Sequence, residues 1–209
     1  MYGKLIIIDG PNGAGKTTVI NNLKEQLDNV VVFREPGSTK VGEKIRELLF
    51  EFKGSDEPLD LVTEHHLLYA ARNELYSKDI RPALESGKIV IVDRGFMSTI
   101  AYQKTMGKSI RDFNDILKKT IKDRNSVMMI HLSSSPKIIE ERLSIRDANK
   151  KHPYVEDIQR NIKMYSYIYK IVKTSNYLKI NMEQIINKDS ANTTKEIIKL
   201  LRKKGFINE

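Results

Sequence analysis

The chain has 209 residues, 40% of them hydrophobic, which is enough to form the core of one domain. Its net charge is +9, but its basic residues are scattered over helix-like segments, so a positive surface that steers anionic substrates explains the charge better than a nucleic-acid platform. Cysteine is absent, which excludes disulfides and thiolate metal sites, and no apolar run approaches membrane-spanning length. The start "MYGK" is too short for a secretory signal. We expect a cytoplasmic protein with one domain over residues 1–209 and no stable nucleic-acid or membrane partner.

Apolar runs rich in β-branched residues recur along the chain and predict strands at 5–9, 29–33, 88–93, 126–132 and 176–181. Segments with helical periodicity separate them, at 16–27, 40–52, 59–76, 78–86, 98–107, 110–122, 136–147, 155–174 and 192–203. The runs are continuously apolar, as in a parallel sheet that is buried on both faces. Because strands and helices alternate, the sequence predicts an α/β fold with a doubly wound, five-stranded parallel sheet flanked by helices.

The stretch "LIIIDGPNGAGKTT" joins the first strand to the first helix and fits the phosphate-binding pattern G-x-x-x-x-G-K-[ST]. Its glycines allow backbone N–H groups to surround phosphate oxygens, and the following helix directs its positive end at the same place. We expect Lys16 to neutralise the β- and γ-phosphates and the Thr17 hydroxyl to ligate Mg²⁺. The predicted nucleotide-binding residues are Gly10, Asn12, Gly13, Ala14, Gly15, Lys16, Thr17 and Thr18.

A second acidic site is predicted where "KIVIVDRG" ends the third strand. Asp93 would lie at the carboxyl edge of the sheet, where a carboxylate reaches Mg²⁺ directly or through water, and Arg94 follows it. A helix cap or a salt bridge is the ordinary alternative for Asp93, but the phosphate-binding loop favours the metal site. The sequence therefore predicts a site that holds a nucleotide polyphosphate together with Mg²⁺.

A phosphate-binding loop alone does not separate kinases from other nucleotide-hydrolysing enzymes. The sequence contains no N-K-x-D pattern for reading guanine, whereas arginines are spread over several segments, at 34, 46, 72, 94, 142 and 146. A kinase that moves phosphate between two anionic substrates needs such cations. Arginine suits this task because its planar fork is bidentate and stays protonated.

The chain resembles bacterial-type thymidylate kinases, within the P-loop nucleoside monophosphate kinase group. Three segments are similar to that family: "REPGSTKVGEKIRELL" to its R-E-P-G-G-T segment, "LLYAARNEL" to its base-binding helix, and "DRGFMSTIAYQ" to its D-R-x-x-x-S-x-x-A-Y-Q segment. The resemblance covers nearly the whole chain. It implies a P-loop NTPase three-layer fold, a homodimer, and transfer of the ATP γ-phosphoryl group to dTMP to give dTDP, a step of dTTP biosynthesis. We expect strand order 2-3-1-4-5.

The resemblance also implies roles for individual side chains at the acceptor site. Arg94 would hold the acceptor phosphate with Arg46 nearby, Arg72 would meet the thymine edge, and Tyr102 would pack where a ribose 2′-hydroxyl would lie. The residues expected around the acceptor are Asn12, Glu35, Arg46, Leu68, Arg72, Arg94, Ser98, Thr99, Tyr102 and Gln103. The ordinary alternatives are surface salt bridges for Arg46 and Arg72, helix caps for Ser98 and Thr99, a core position for Tyr102 and a turn carboxylate for Glu35.

A lid is expected at about residues 142–155, in and around the polar segment "RDANKKHPY". Arg142 and Arg146 are four residues apart and therefore share one helix face. In the resembling enzymes, lid arginines supply charge to the transferring group, and here no arginine stands in the phosphate-binding loop to do so. The alternative is a solvated helix in which these arginines pair with Glu140 and Glu141. The residues expected to act in catalysis are Lys16, Glu35, Arg94, Arg142 and Arg146.

Three positions depart from the family pattern. Asn12 replaces the usual Asp or Glu that meets the sugar 3′-hydroxyl, Leu68 replaces a phenylalanine that stacks on the base, and "HPYVE" stands near the place of a D-R-x-E sequence. These changes leave open another deoxynucleoside monophosphate, or a deoxynucleoside, as the acceptor. A non-catalytic nucleotide-binding protein or a basic nucleic-acid-binding protein is the more distant alternative, against which the intact Lys16 argues.

Overall fold

The computed structural model describes residues 2–147 and 158–208, and a sheet of five parallel strands forms its centre. The strands are β1 (Lys4–Asp9), β2 (Val30–Arg34), β3 (Ile89–Asp93), β4 (Val127–Ser133) and β5 (Asn181–Ile186). Their order, β2-β3-β1-β4-β5, confirms the predicted topology. The first four predicted strands agree with the observed ones to within a residue at each end.

The fifth strand was predicted at 176–181, which is wrong, because the strand begins only at Asn181. Asn176 and Lys179 have positive φ angles of 47° and 52°, and these interrupt extended backbone. The true strand lies at the edge of the sheet, and only Met182 and Ile185 are buried in it. It therefore lacks the continuous apolar run that marks the inner strands.

Helices pack on both faces of the sheet. In the described residues the α-helices are α1 (Lys16–Gln26), α2 (Lys40–Phe52), α3 (Leu61–Leu75), α4 (Arg81–Glu85), α5 (Phe96–Gln103), α6 (Met106–Thr120), α7 (Pro136–Asp147), α8 (Ile158–Ser175) and α9 (Ser190–Lys203). A π-helix (Tyr76–Ile80) joins α3 to α4, and a 3-10 helix (Arg124–Ser126) precedes β4. The helix predicted over 98–107 is shorter at its end, because Lys104 adopts a left-handed φ of 55° and closes α5. Of the predicted lid, 148–155 lies outside the described residues. None of the helices in the described ranges combines the length and the apolarity needed to cross a bilayer.

The core lies on both faces of the sheet, which explains the continuously apolar strands. Leu5 and Ile7 of β1 contact a cluster formed with α3, α5, α6 and α8, whereas Ile6 and Ile8 contact a second cluster formed with α1 and α9. All four side chains are fully buried. Burial of each such side chain contributes about 1.5–3 kcal/mol to stability.

Because the strands are parallel, their carboxyl ends meet at one edge of the sheet. β1 leads there into the phosphate-binding loop, β2 into Glu35, and β3 into Arg94. Ligands of open α/β sheets bind at this edge. The fold therefore brings the predicted donor and acceptor segments to the same side of the molecule.

Candidate active site

The phosphate-binding loop curls around its own lysine at the end of β1. Gly15 precedes α1 with a φ of 87°, and no side chain caps the helix, so its first N–H groups remain available to phosphate oxygens. Position 10 has no room for a side chain, because a Cβ there would lie 1.9 Å from the carbonyl oxygen of Leu132 on β4. Lys16 is buried, and its Nζ donates to the carbonyl oxygens of Gly10 and Pro11, each at 2.9 Å. Thr17 and Thr18 follow at the exposed start of α1, as the motif predicts.

Asn187, directly after β5, supports the loop from behind. It is fully buried, and its Nδ2 donates to the carbonyl oxygen of Ala14 at 2.8 Å. Its Oδ1 accepts a hydrogen bond of 3.0 Å from the Thr193 hydroxyl. Sequence analysis missed Asn187 because the fifth strand was predicted too early in the chain, so a polar residue at the carboxyl edge of that strand went unnoticed.

Asp93 ends β3, as predicted, and is half-buried. Its Oδ1 is buried and has no hydrogen-bond partner among the described residues. This oxygen and the exposed Thr17 hydroxyl suit Mg²⁺, a hard cation that takes oxygen ligands and keeps several waters. Within the described ranges, no group of three or more His, Cys, Asp or Glu side chains is gathered at one point. One carboxylate and one hydroxyl fit a metal that is held mainly by substrate phosphates.

Asp9, the last residue of β1, ties the loop to α5. Its Oδ1 accepts from the Gly10 N–H at 2.8 Å and from the Ser98 hydroxyl at 2.6 Å, while its Oδ2 accepts from the Ser98 N–H at 2.9 Å. α5 has no side-chain cap of its own, so Asp9 supplies from β1 the carboxylate that a helix N-terminus favours. The Tyr165 hydroxyl lies 2.9 Å from the Ser98 Oγ. Sequence analysis did not single out Asp9, although a carboxylate that ends an apolar strand was a usable signal.

Arg94 is held in an uncommon backbone conformation. Its φ of 75° is rare for a residue other than glycine, costs about 1–3 kcal/mol, and is found most often at functional sites. Its guanidinium donates to the Asn12 Oδ1 and, at 3.2 Å, to the Ser98 Oγ. Burial lowers the pKa of the guanidinium, but the neighbouring hydroxyls of Tyr165 and Tyr102 and the acidic side chains nearby outweigh burial and raise that pKa above its usual value. Arg94 is therefore a fixed cation beside the phosphate-binding loop.

Glu35 and Arg72 form a buried ion pair beside this cation. The Arg72 Nε donates to the Glu35 Oε2 at 2.5 Å, and its Nη2 donates to the Thr99 hydroxyl at 3.2 Å. The two side chains are 4% and 3% exposed. Burial raises the pKa of Glu35, and the charge of Arg72 opposes this effect. For Arg72, burial lowers the pKa of the guanidinium, but Glu35 together with the neighbouring Tyr69 and Tyr76 outweighs burial and raises that pKa. Arg72 is therefore not in a surface salt bridge, and Glu35 is more than a turn carboxylate because it is the counter-charge of a buried cation.

A cavity of about 370 Å³ opens between α2, α3 and α5 and reaches the phosphate-binding loop. This volume falls in the range of small-molecule sites, about 300–1,000 Å³. Every residue predicted around the acceptor lines it: Asn12, Glu35, Arg46, Leu68, Arg72, Arg94, Ser98, Thr99, Tyr102 and Gln103. Glu64, Phe50 and Lys53, which sequence analysis did not select, also line the cavity.

The apolar and basic walls of the cavity come from α2 and α3. Leu68 contributes to the wall, whereas Tyr69 points away from the cavity into the core and donates its hydroxyl to the Ser109 carbonyl at 2.6 Å. Arg46 is half-buried, donates to the Pro36 carbonyl at 3.1 Å, and lies 4.7 Å above the Phe50 ring. Tyr69 therefore does not replace the aromatic ring that Leu68 lacks.

The two predicted lid arginines lie on α7 but reach different parts of the site. Arg142 donates from Nη1 to the Gly13 carbonyl at 3.3 Å, so it contacts the phosphate-binding loop. Arg146 lines the acceptor cavity. Within the described parts of the chain, no ion pair joins Arg142 to Glu140 or Glu141, which was the alternative explanation for this charge pattern.

Relatives of known function match nearly the whole chain. The sequence profile of the family described as thymidylate kinase matches residues 8–191. A thymidylate kinase of Buchnera aphidicola subsp. Baizongia pistaciae is 35% identical over 201 residues, which cover 90% of this chain and 91% of that protein. A thymidylate kinase of Caldicellulosiruptor saccharolyticus is 33% identical over 211 residues, which cover 97% of this chain and 96% of that protein.

Solved structures agree with this relationship. The thymidylate kinase of Ehrlichia chaffeensis aligns over 97% of this chain and 99% of its own, with a TM-score of 0.65 and 28% identity. The thymidylate kinase of Candida albicans aligns over all of this chain and 96% of its own, with a TM-score of 0.68, and at 21% identity it supports the fold alone. The resemblance noted from the motifs is thus confirmed, and the chain belongs to the thymidylate kinase family.

Proposed function

We propose that this protein transfers the γ-phosphoryl group of ATP to dTMP, giving dTDP for the synthesis of dTTP. The observation that carries the proposal is the junction of two sites, since Asn12 belongs to the phosphate-binding loop and also lines the acceptor cavity. Arg94 donates to Asn12 from the acceptor side. A donor phosphate in the loop and an acceptor phosphate beside Arg94 would therefore be adjacent, which is what direct transfer requires.

On the donor side, Lys16 and the N–H groups of the loop hold the triphosphate. Thr17 and Asp93 are the residues that would hold Mg²⁺, and the metal would neutralise charge on the β- and γ-phosphates when bound. The protein itself supplies position and positive charge, with no covalent intermediate. Arg142, through its contact with the loop at Gly13, lies on the donor side as well.

On the acceptor side, Arg94 binds the dTMP phosphate, with Arg46 close by, and Arg72 meets the base edge. Ser98, Thr99 and Gln103 border the base and the sugar, Tyr102 excludes a 2′-hydroxyl, and Leu68 gives apolar contact. Glu35 holds Arg72 in place through the buried ion pair. Arg146 lines the acceptor cavity one helical turn beyond Arg142, so the pair is suited to stabilise charge on the transferring group. Closure of a lid at 142–155 would exclude water and limit wasteful hydrolysis of ATP.

The proposal includes a homodimer and a cytoplasmic location, and it treats residues 1–209 as one domain. Apolar side chains of α2 and α3 support the dimer, since Val41, Leu48, Leu61 and Val62 are 36–49% exposed. A second copy that covers these side chains would remove them from water. Sedimentation at micromolar concentration should give the mass of two chains, and Val62→Glu should shift the mass toward one chain.

Two residues of the site favour other deoxynucleoside monophosphates as additional acceptors. Asn12 lacks the charge of an acidic residue, its Oδ1 accepts from Arg94, and its Nδ2 donates to the Tyr102 hydroxyl at 3.3 Å. Leu68 offers no ring to the base. These two residues favour a broader acceptor range that includes other deoxynucleoside monophosphates.

The test is transfer of label from γ-³²P-ATP to dTMP, with separation of the product from inorganic phosphate. Wild-type protein should form labelled dTDP, and Lys16→Ala should form none. Lys24→Ala is the matched control, because Lys24 is exposed on the same helix. Label that appears only as inorganic phosphate would overturn the proposal, as would steeply salt-dependent DNA binding without transfer.

A further inference from the structure

Three buried polar atoms of residues that line the acceptor cavity have no hydrogen-bond partner among the described residues: Nη1 of Arg72, Oε1 of Gln103 and Oε1 of Glu35. The carboxylate of Glu35 already pairs with Arg72 through its Oε2. At the base end of the cavity, Nη1 of Arg72 is a donor and the amide oxygen Oε1 of Gln103 is an acceptor. Both residues line the cavity, and they are 3% and 8% exposed. Buried polar atoms in native proteins are nearly always hydrogen-bonded, so these two atoms point to a ligand with the complementary acceptor and donor.

Glu64 decides which end of the Gln103 amide faces the cavity. The Gln103 Nε2 donates to the Glu64 Oε2 at 2.7 Å. An ionised carboxylate only accepts hydrogen bonds, so it pairs with the NH₂ group of the amide and leaves the carbonyl oxygen for the ligand. Glu64 lines the same cavity, so it holds the amide where the ligand binds.

The helix spacing places these groups together. Glu64, Leu68 and Arg72 are four residues apart on α3, which puts them on one face of the helix toward the cavity. Gln103 faces them from the end of α5. One wall therefore presents a fixed donor from Arg72 and, through Glu64, a fixed acceptor from Gln103.

We propose that Glu64 is a positioning residue that selects a pyrimidine with an imide edge over cytosine. Thymine offers an O4 acceptor and an N3–H donor, which complement Arg72 and Gln103. Cytosine offers an N4–H₂ donor and an N3 acceptor, which oppose both. The inference rests on the proposed function, because it takes the base of the acceptor nucleotide to occupy this end of the cavity.

The test compares kcat/KM for dTMP, dUMP and dCMP in wild-type protein and in Glu64→Gln. An amide at position 64 both donates and accepts, so the Gln103 amide can reverse. The dTMP-to-dCMP ratio of kcat/KM should fall about tenfold, mainly through KM, as expected for one hydrogen bond. The dTMP-to-dUMP ratio should not change, because these two bases share the imide edge.

Two further variants provide a stronger change at position 64 and a matched control. Glu64→Lys only donates, so it should turn the NH₂ group of Gln103 toward the base and lower the dTMP-to-dCMP ratio further. Glu74→Gln makes the same chemical change as Glu64→Gln on the same helix, where Glu74 pairs with Lys78 outside the cavity, and should leave every ratio unchanged.

The outcomes separate the two claims. If wild-type protein prefers dTMP and both Glu64 variants keep the dTMP-to-dCMP ratio, the inference on Glu64 is overturned and the proposed function stands. If kcat falls equally for all three substrates, Glu64 has a structural role only, which also overturns the inference. If wild-type protein phosphorylates none of the three, the proposed function fails and the inference fails with it.

Discussion

Replacing Glu35 by Gln should lower the free energy of unfolding by about 3–5 kcal/mol, the usual cost of breaking a buried ion pair. Glu35 and Arg72 are almost completely buried, and the Nε–Oε2 distance is 2.5 Å. Glutamine keeps the volume of the side chain and one acceptor oxygen, but it leaves the guanidinium of Arg72 without a counter-charge. The Thr99 hydroxyl, which accepts from the Arg72 Nη2 at 3.2 Å, is neutral and does not replace the lost charge. For a chain of this length, the melting temperature should fall by roughly 6–20 °C.

Urea denaturation of Glu35→Gln, Arg72→Met and the double variant measures the interaction directly. The double variant should be less destabilised than the sum of the single variants, because it leaves no unpaired charge. Glu47→Gln is the control, because Glu47 forms an ion pair with Lys44 at 2.9 Å but its side chain is 65% exposed. The urea concentration at the midpoint of unfolding should be the same for this variant as for the wild-type protein. A loss of unfolding free energy below about 1 kcal/mol for Glu35→Gln, or simple additivity of the two single variants, would show that the two charges do not stabilise each other.

Three other substitutions test the backbone and the core. Gly10→Ala should abolish ATP binding in a fluorescence titration, because its Cβ would meet the Leu132 carbonyl at 1.9 Å; normal affinity would contradict the close approach. Gly107→Ala should raise the unfolding free energy by about 0.5–1 kcal/mol, since its Cβ meets only the flexible side chain of Arg111 at 3.6 Å in α6, and a loss of stability would contradict this. Burial lowers the pKa of His131 from 6.5, so the unfolded chain binds more protons and stability should fall as the pH drops below about 6.5. His131→Phe should lose less unfolding free energy than the wild-type protein between pH 7 and pH 5, as measured by urea titration. An equal loss in the two proteins would contradict the role of His131.

The inner strands were predictable because burial on both faces leaves a continuous apolar run, as in "LIIID" and "KIVIVD". β5 was not, because it is an edge strand with few buried residues, and the apolar letters just before it belong to a turn closed by Lys179. That error also hid Asn187. Loop geometry at single residues, such as the left-handed Lys104, is set by tertiary packing and leaves no signal in hydrophobic periodicity.

The candidate site was readable where function depends on a contiguous motif. The phosphate-binding loop and the Asp93–Arg94 pair are of this kind, and the residues predicted around the acceptor do line one cavity. Their roles in transfer stay predictions. Contacts between distant segments were not readable: nothing in the sequence pairs Glu35 with Arg72, Asp9 with Ser98, or Glu64 with Gln103.

Phosphorylation of dTMP is the function proposed for this chain. The most direct measurement is ADP release in a coupled assay with ATP and Mg²⁺, using each of the four deoxynucleoside monophosphates, uridine monophosphate and thymidine as acceptors. We expect the highest kcat/KM for dTMP and no turnover of thymidine. Turnover of thymidine without turnover of dTMP, or a clear preference for a purine monophosphate, would contradict the proposed function.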